Sequence, residues 1–226
     1  MKSYASCLIL LVLLISISSC VVTNNLYVND PLPLGKREYT SFAGFGTGIM
    51  YSGNDATIRQ DFKIKYLPTP IMAVGIRLGI APKTNFNFNC HLPVSFGGIG
   101  MNVGLQQSFF SPSSKFNMAL GTNFGGVGSF QTTNVGIFEV QITDTKNLGA
   151  LNADFYMPMA YTFKNNLKLI LTPRYSYNKY FLLYTTEGNF VIASLGLKNR
   201  NNYFEFSMQF DENLFFPQIG YVRVFD

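Results

Sequence analysis

Residues 84–95 read TNFNFNCHLPVS, and their strict alternation of apolar and polar side chains decides the fold. In an extended strand successive side chains point to opposite faces, so a period of two creates one apolar and one polar face. The apolar face carries Phe86, Phe88, Cys90, Leu92 and Val94, and the polar face carries Asn85, Asn87, Asn89, His91, Pro93 and Ser95. The stretch therefore predicts an amphipathic β-strand.

The same period recurs along the chain. We find no segment after residue 37 with the 3.6-residue period of an amphipathic helix. The pattern predicts an all-β fold with about ten strands, and the range is about eight to twelve because residues 57–66 also alternate. The clear segments are 84–95, 98–109, 115–126, 151–162, 167–178 and 203–210, and the weaker ones are 38–52, 70–80, 188–198 and 215–225.

The connections between these segments differ in length. Short, turn-like stretches lie at 81–84, 111–114, 164–166 and 199–202, whereas 53–69 and 127–149 are long and 179–188 is intermediate. Short turns at one side and longer loops at the other are typical of an antiparallel up-and-down transmembrane β-barrel. An even number of strands puts both ends of such a barrel on the short-turn side.

The composition favours a membrane barrel over a soluble one. Charged residues make up 13% of the chain, about half the usual share, and aromatic residues make up 15%. The polar faces consist mainly of Gly, Asn and Ser, which suit a packed polar lumen better than bulk water. The chain has no Trp, so Tyr175, Tyr177 and Tyr180 are candidates for an interfacial girdle. The net charge of +5 without a basic cluster does not support nucleic-acid binding.

The N-terminus has the organisation of a signal peptide. Met1 and Lys2 precede an apolar run, CLILLVLLISI, at 7–17. That run is shorter than the roughly 20 residues needed to span a bilayer, and it matches the apolar region of a signal peptide. The last residue of this run, Ile17, begins the stretch ISSC at 17–20, which resembles the lipobox of bacterial lipoproteins.

The whole chain resembles small outer-membrane β-barrel lipoproteins of bacteria. The resemblance implies a signal peptide at 1–19, a tether at 20–37 lipidated at Cys20 on its sulfur and new amino group (palmitate among the acyl chains), and a barrel domain at 38–226. It also implies anchoring by membrane lipid and insertion into the bacterial outer membrane by the insertion machinery. Tyr221 and Phe225 share a face near the C-terminus, although Arg223 interrupts that row and Asp226 follows it. The matching stretches are the lipobox, PLGKREY at 33–39, GIRLGIAPKTNFNFN at 75–89, LTPRYSY at 171–177 and FPQIGYVRVFD at 216–226.

A set of charged residues falls on the predicted lumen side. Four Lys or Arg side chains and a histidine are accompanied by two carboxylates. Buried charges need partners, so we expect them to pair across the interior and plug it. An anion-preferring polar cavity is the alternative. The set is Arg77, His91, Asp154, Lys168, Arg174, Lys198 and Glu205.

The residues that could bind a metal ion or act in catalysis do not form a recognisable site. Cys90 and His91 are neighbours on a strand and face opposite ways, so they cannot share a metal ion without a bulge. A hydrolase would need His91 as its base, and Ser95 lies about 13 Å further along the strand. Ser108, Ser176 and Ser207 could approach His91 only through the closed fold, and no GxSxG motif occurs. The sequence predicts no catalytic site, metal or cofactor. The glycine-rich GFGTG at 44–48 predicts close packing in the barrel wall.

The leading hypothesis is a lipid-anchored outer-membrane barrel with a structural or surface-interaction role. The loops 53–69 and 127–149 would face outward toward an extracellular partner that the sequence does not identify. The alternatives are a soluble, lipid-tethered barrel with an apolar ligand inside, a barrel lipid hydrolase and a narrow pore.

Overall fold

The computed structural model of the chain describes residues 20–23, 29–52, 66–93, 98–111, 113–129, 149–181, 185–211 and 214–225. The predicted signal peptide lies outside these ranges. No helix in the described part of the chain is long and apolar enough to cross a membrane. The strands are β1 Cys20–Thr23, β2 Tyr39–Ser52, β3 Tyr66–Ala81, β4 Thr84–Pro93, β5 Gly98–Ser108, β6 Phe116–Ser129, β7 Gly149–Tyr156, β8 Met159–Thr162, β9 Leu167–Phe181, β10 Thr185–Asn199, β11 Asn202–Asp211 and β12 Leu214–Phe225.

Strands β2 to β12 form a closed antiparallel barrel. Each strand pairs with its neighbours in chain order, and β12 closes the barrel on β2 from Gly220 opposite Gly46 to Phe225 opposite Ser41. β7 and β8 share one place in the wall, between β6 and β9. The described residues therefore contain ten wall strands. This arrangement confirms the predicted all-β, up-and-down barrel of about ten strands.

The break between β7 and β8 falls at a proline. Met157 and Pro158 lie outside regular pairing, although the register is the same on both sides, from Tyr156 opposite Arg174 to Met159 opposite Leu171. Proline has no N–H to donate to a strand ladder, so it interrupts the pairing without shifting it. Residues 151–162 were predicted as one strand, and they occupy one wall position.

The wall strands bury polar side chains and expose apolar ones. On β10 the neighbours Ser194 and Leu195 are 2% and 47% exposed. Since the barrel is closed, the buried face is its interior. Buried polar residues include Asn85, Asn89, Asn102, Gln106, Asn123, Thr172, Ser176 and Gln209, and exposed apolar residues include Met101, Val103, Leu105, Leu151, Phe155, Leu171, Val191, Phe204, Phe206 and Ile219. These are the faces that the alternation predicts.

One aromatic residue lies on the face opposite to the predicted one. Tyr175 is 45% exposed, but Tyr180 is 1% exposed and packs in a buried apolar cluster with Val127, Phe190 and Ile192. The expectation that Tyr180 joins an outer girdle is therefore wrong. It lies five positions beyond Tyr175 on β9, and an odd offset along a strand reverses the face.

Glycines opposite bulky side chains allow the interior to close. A Cβ atom added at Gly100 would overlap the imidazole ring of His91, its partner across the β4–β5 ladder. A Cβ at Gly121 would likewise overlap the ring of Tyr156 on β7. Gly44, within the GFGTG stretch, lies against Val222 of β12, which agrees with the predicted close packing at the wall.

The barrel has two ends, which we call the turn end and the loop end. The turn end carries the short connections after β3, β5, β8 and β10. Three of its residues with positive φ, Arg37, Asn166 and Arg200, lie in or beside these turns. At the loop end the strands extend into the predicted loops, because β3 begins at Tyr66 and β6 ends at Ser129. The remaining parts of those loops, 53–65 and 130–148, lie outside the described residues.

The N-terminal part of the chain meets the barrel at both ends. β1 pairs with β2 at the loop end, where Cys20 lies opposite Ser52 and Thr23 opposite Ile49. Residues 29–35, which we call the internal segment, lie at the turn end, where Asn29, Asp30 and Pro31 are buried. The sequence predicts that residues 20–37 are a tether outside the barrel domain. In the structure its described parts contact the barrel, through the pairing of β1 with β2 and through hydrogen bonds to Asp30 and Pro31.

Candidate functional site

The most densely connected polar site surrounds Asp30 in the internal segment. One carboxylate oxygen of Asp30, Oδ2, accepts hydrogen bonds from Lys168 Nζ at 2.9 Å and from Lys198 Nζ at 2.8 Å. Lys168 is the second residue of β9, and Lys198 is the last residue but one of β10. Both therefore lie next to turns at the turn end. The Asp30 side chain is 3% exposed, so both ion pairs are shielded from water.

The backbone of the internal segment is held by side chains of the wall. The carbonyl oxygen of Asp30 accepts from Arg77 Nη2 at 3.0 Å and from Gln106 Nε2 at 2.9 Å, and that of Pro31 accepts from Ser108 Oγ at 2.6 Å. A buried segment outside regular secondary structure must satisfy its carbonyl groups in some such way. The polar faces of β3 and β5 therefore serve as its hydrogen-bond partners.

The electrostatics of the site keep Asp30 ionised. Burial opposes ionisation and by itself raises the pKa of Asp30, but the positive charges of Lys198, Lys168 and Arg77 outweigh that effect. As a result the pKa of Asp30 lies below its usual range. The three positive charges thus favour the ionised form of the carboxylate.

A second network lies next to Asp30 and uses Asn29. Asn29 Nδ2 donates to Glu205 Oε2 at 3.1 Å, and Asn29 Oδ1 accepts from Arg174 Nη2 at 3.3 Å. Tyr203 also donates its hydroxyl to Glu205. One amide side chain thus bridges a buried cation on β9 and a buried carboxylate on β11.

The structure places all seven predicted lumen residues on the inner side of the wall. Arg77, Lys168 and Lys198 converge on Asp30, and Arg174 and Glu205 meet at Asn29. The other two lie elsewhere in the interior. His91 packs on Gly100, and Asp154 lies opposite Asn123 on β6 and Ser176 on β9. Cys90 is on the outer face and is partly exposed.

Sequence reasoning missed Asp30 and Asn29, the two residues that join these charges. They lie in an aperiodic stretch with two prolines, where alternation assigns no face. One signal was available. The predicted lumen set holds four Lys or Arg residues against two carboxylates, and such an excess of buried positive charge requires another acceptor.

A small polar cavity adjoins the internal segment. Asn29, Arg77, Asn87, Asn102 and Tyr156 are among the residues that line it. Arg77 Nε, Asn87 Oδ1 and Asn102 Oδ1 are buried and have no hydrogen-bond partner among the described residues. Several donors and acceptors around a space of this kind suit about one or two ordered water molecules.

Three of the four serines considered for a hydrolase form other contacts, and the fourth, Ser95, lies outside the described residues. Ser108 Oγ donates to Pro31, Ser207 Oγ donates to Gln218 at 3.4 Å, and Ser176 Oγ accepts from Asn178 Nδ2 at 3.0 Å. Among the described residues no group of three His, Cys, Asp or Glu side chains is arranged to hold a metal ion. The site is best described as a set of buried ion pairs and hydrogen bonds around the internal segment.

Comparison with known proteins adds no assignment. No protein-family model matches this chain, and no curated protein matches it significantly. The function is therefore argued from the barrel surface and from the contacts in its interior.

Proposed function

We propose that this protein is a lipid-anchored outer-membrane barrel with a structural or surface-interaction role, and that its lumen is closed by its own internal segment. The lipid anchor is the acylated Cys20 of the lipobox-like ISSC at 17–20. The barrel itself crosses the membrane, and the loop end carries the surfaces that meet a partner.

The observation that carries the proposal is the apolar outer surface of the barrel. Large apolar side chains on β5, β7, β10 and β11 are about half exposed, whereas their polar neighbours are buried. Water would oppose this distribution, because contiguous apolar patches of this extent are rare on soluble monomers. A bilayer favours it, because transmembrane strands alternate between lipid-facing apolar and inward polar residues. A soluble barrel with an apolar ligand inside requires the reverse.

The length of the wall strands supports the same conclusion. A strand tilted by about 45° crosses a membrane with about 9–11 residues. The shortest continuous wall strands, β4 and β11, have 10 residues each, and β3 has 16. The two parts of the interrupted strand, β7 and β8, have 8 and 4 residues. Every wall position is therefore long enough to cross.

Exposed aromatic rings near the turn end suit a membrane interface. Phe110 packs on Phe116 with ring centroids 5.6 Å apart, and Tyr161 packs on Phe163 at 5.0 Å. All four rings are about 40% exposed or more. Girdles of aromatic residues flank the apolar band of outer-membrane barrels, and in this chain Phe and Tyr supply them without Trp.

The contacts of the internal segment favour a closed lumen over a narrow pore. Asp30 and its neighbours bind side chains from β3, β5, β9 and β10. A closed barrel leaves the loops at the loop end as the surface for binding. These are the predicted loops 53–69 and 127–149, which would face an extracellular partner.

The C-terminal strand supports insertion by the outer-membrane machinery. The aromatic ring of Phe225 is 46% exposed on the outside of β12, and the Arg223 guanidinium lies 5.8 Å from its centroid. Arg223 is at the turn end, where a long basic side chain can reach the interface. The charge that interrupts the aromatic row is thus placed where a membrane tolerates it.

We expect Cys20→Ser to separate the lipid anchor from the barrel. Wild-type protein should incorporate labelled palmitate in cells, and the variant should not. Because the barrel surface is itself apolar, both proteins should remain in the outer-membrane fraction and need detergent for extraction. A Cys20→Ser protein that is soluble without detergent would contradict the membrane barrel, whereas continued acyl labelling would contradict the anchor at Cys20.

A further inference from the structure

We propose that Cys20 lies at the loop end of the barrel and meets the outer leaflet of the membrane, whereas the internal segment that follows it in the chain is held at the turn end. This inference rests on the proposed function, because it assigns a leaflet to the proposed lipid anchor. The two ends of the barrel domain lie at the short-turn side, as the even strand number predicts, whereas Cys20 lies opposite Ser52 at the loop end.

The internal segment is fixed at the turn end. Its last residues lie against Gly79, where an added Cβ would touch Leu34 and Gly35, and Arg37 N donates to Gly79 O at 2.8 Å. Leu34 N donates to Asn85 Oδ1 at 3.0 Å. Gly79 and Asn85 flank the turn between β3 and β4, so this part of the chain enters the barrel beside that turn.

β1 is fixed at the opposite end. It pairs with β2 over Ile49–Ser52, whereas β12 pairs with β2 only over Ser41–Gly46. β3 occupies the other edge of β2 along nearly its whole length. β1 therefore takes the edge that β12 leaves unpaired at the loop end. Pro217 lies in the part of β12 that does not pair with β2, as expected for a residue without an N–H.

The chain between these two attachments is long enough to connect the two ends of the barrel. Ten residues separate Asp30 from Cys20, and an extended chain of that length spans about 33–36 Å. From Ser41 to Ser52, β2 rises by about 37 Å, which at a tilt near 45° projects to about 26 Å along the barrel axis. The chain length is therefore compatible with Asp30 at the turn end and Cys20 at the loop end.

The position of Cys20 determines which membrane leaflet its acyl chains enter. In outer-membrane barrels the longer loops face the outside and the short turns face the periplasm. Acyl chains on Cys20 would then enter the outer leaflet. They would also secure the N-terminal end of the internal segment, so one lipid anchor would hold both the barrel and the segment that closes it.

A pair of double-cysteine variants tests the position of β1 at the loop end. In a Cys90→Ser background, Thr23→Cys with Ile49→Cys should form a disulfide, because these residues are register partners in an antiparallel ladder. The matched control, Thr23→Cys with Ser41→Cys, places the second thiol on the same strand at the turn end and should remain reduced. Mass spectrometry of the non-reduced protein distinguishes the two. A disulfide in the control and none in the first pair would overturn the position of β1, and with it that of Cys20, at the loop end.

Labelling of intact cells tests the leaflet. In the same background, Val21→Cys should react with a membrane-impermeant maleimide, and Asn165→Cys in a turn at the turn end should react only after the outer membrane is permeabilised. The reverse result would place the N-terminus in the periplasm. If the barrel did not cross the membrane, Val21→Cys and Asn165→Cys would show the same accessibility, whereas the disulfide result would still report the position of β1. Failure of the proposed function and failure of this inference are thus distinguishable.

Discussion

Replacing Asp30 by alanine should lower the free energy of unfolding by about 3–5 kcal/mol, the usual cost of removing one partner of a buried charge pair. The variant leaves Lys168 and Lys198 in the interior without their carboxylate acceptor. Arg77 would keep its bond to the backbone carbonyl but lose the nearby negative charge. Urea unfolding of the protein in detergent or lipid measures the change.

An exposed ion pair in the same barrel provides the control for Asp30→Ala. Lys179 and Glu187 lie 3.6 Å apart and their side chains are 40% and 53% exposed. Glu187→Ala should cost less than about 1 kcal/mol, because solvent screens such a pair. Planar-bilayer recordings add a second readout, since loss of the Asp30 contacts should allow openings that the wild-type protein does not show. Equal stability of Asp30→Ala and wild type would contradict the role of Asp30.

Replacing Leu195 by arginine should destabilise the barrel in lipid by about 2–3 kcal/mol, because a charge on the lipid-facing side of a strand must enter hydrocarbon. Leu195 is 47% exposed on the outside of β10, four residues before the strand ends. For a soluble protein the same exposed substitution changes stability by about 0.5 kcal/mol or less. Unfolding by urea in lipid vesicles measures the difference.

Asn165→Arg is the matched control for Leu195→Arg. Asn165 is exposed in the turn before β9, where an arginine meets water or lipid headgroups. Its stability should stay within about 0.5 kcal/mol of the wild type. If Leu195→Arg were equally harmless, the outer face of β10 would not be in contact with lipid.

The wall of the barrel was predictable because every wall strand alternates between polar residues that face inward and apolar residues that face outward. Asn85, Asn89 and His91 are buried on β4, as their parity requires, and the turn at 82–83 falls between two predicted strands. Alternation assigns a face to every residue in such a segment. The same parity places all seven predicted charged or titratable residues on the inner side.

The partners of those residues could not be predicted in the same way. The internal segment has no period, and its position depends on contacts with Arg77, Lys168 and Lys198, which lie 47 or more residues away in sequence. Prolines at 31 and 33 resemble those of a flexible tether, and only the closed fold shows that Asp30 neutralises the excess positive charge. The position of β1 likewise depends on the early end of the β12–β2 pairing.

The most direct test of the membrane barrel is the environment of a nitroxide label at Leu195→Cys in a Cys90→Ser background. In vesicles the label should collide frequently with oxygen and rarely with a water-soluble nickel complex, because its side chain points into lipid. A label at Asn165→Cys should show the reverse. A label at Leu195→Cys that is as accessible to the nickel complex as the label at Asn165→Cys would contradict a membrane-spanning barrel.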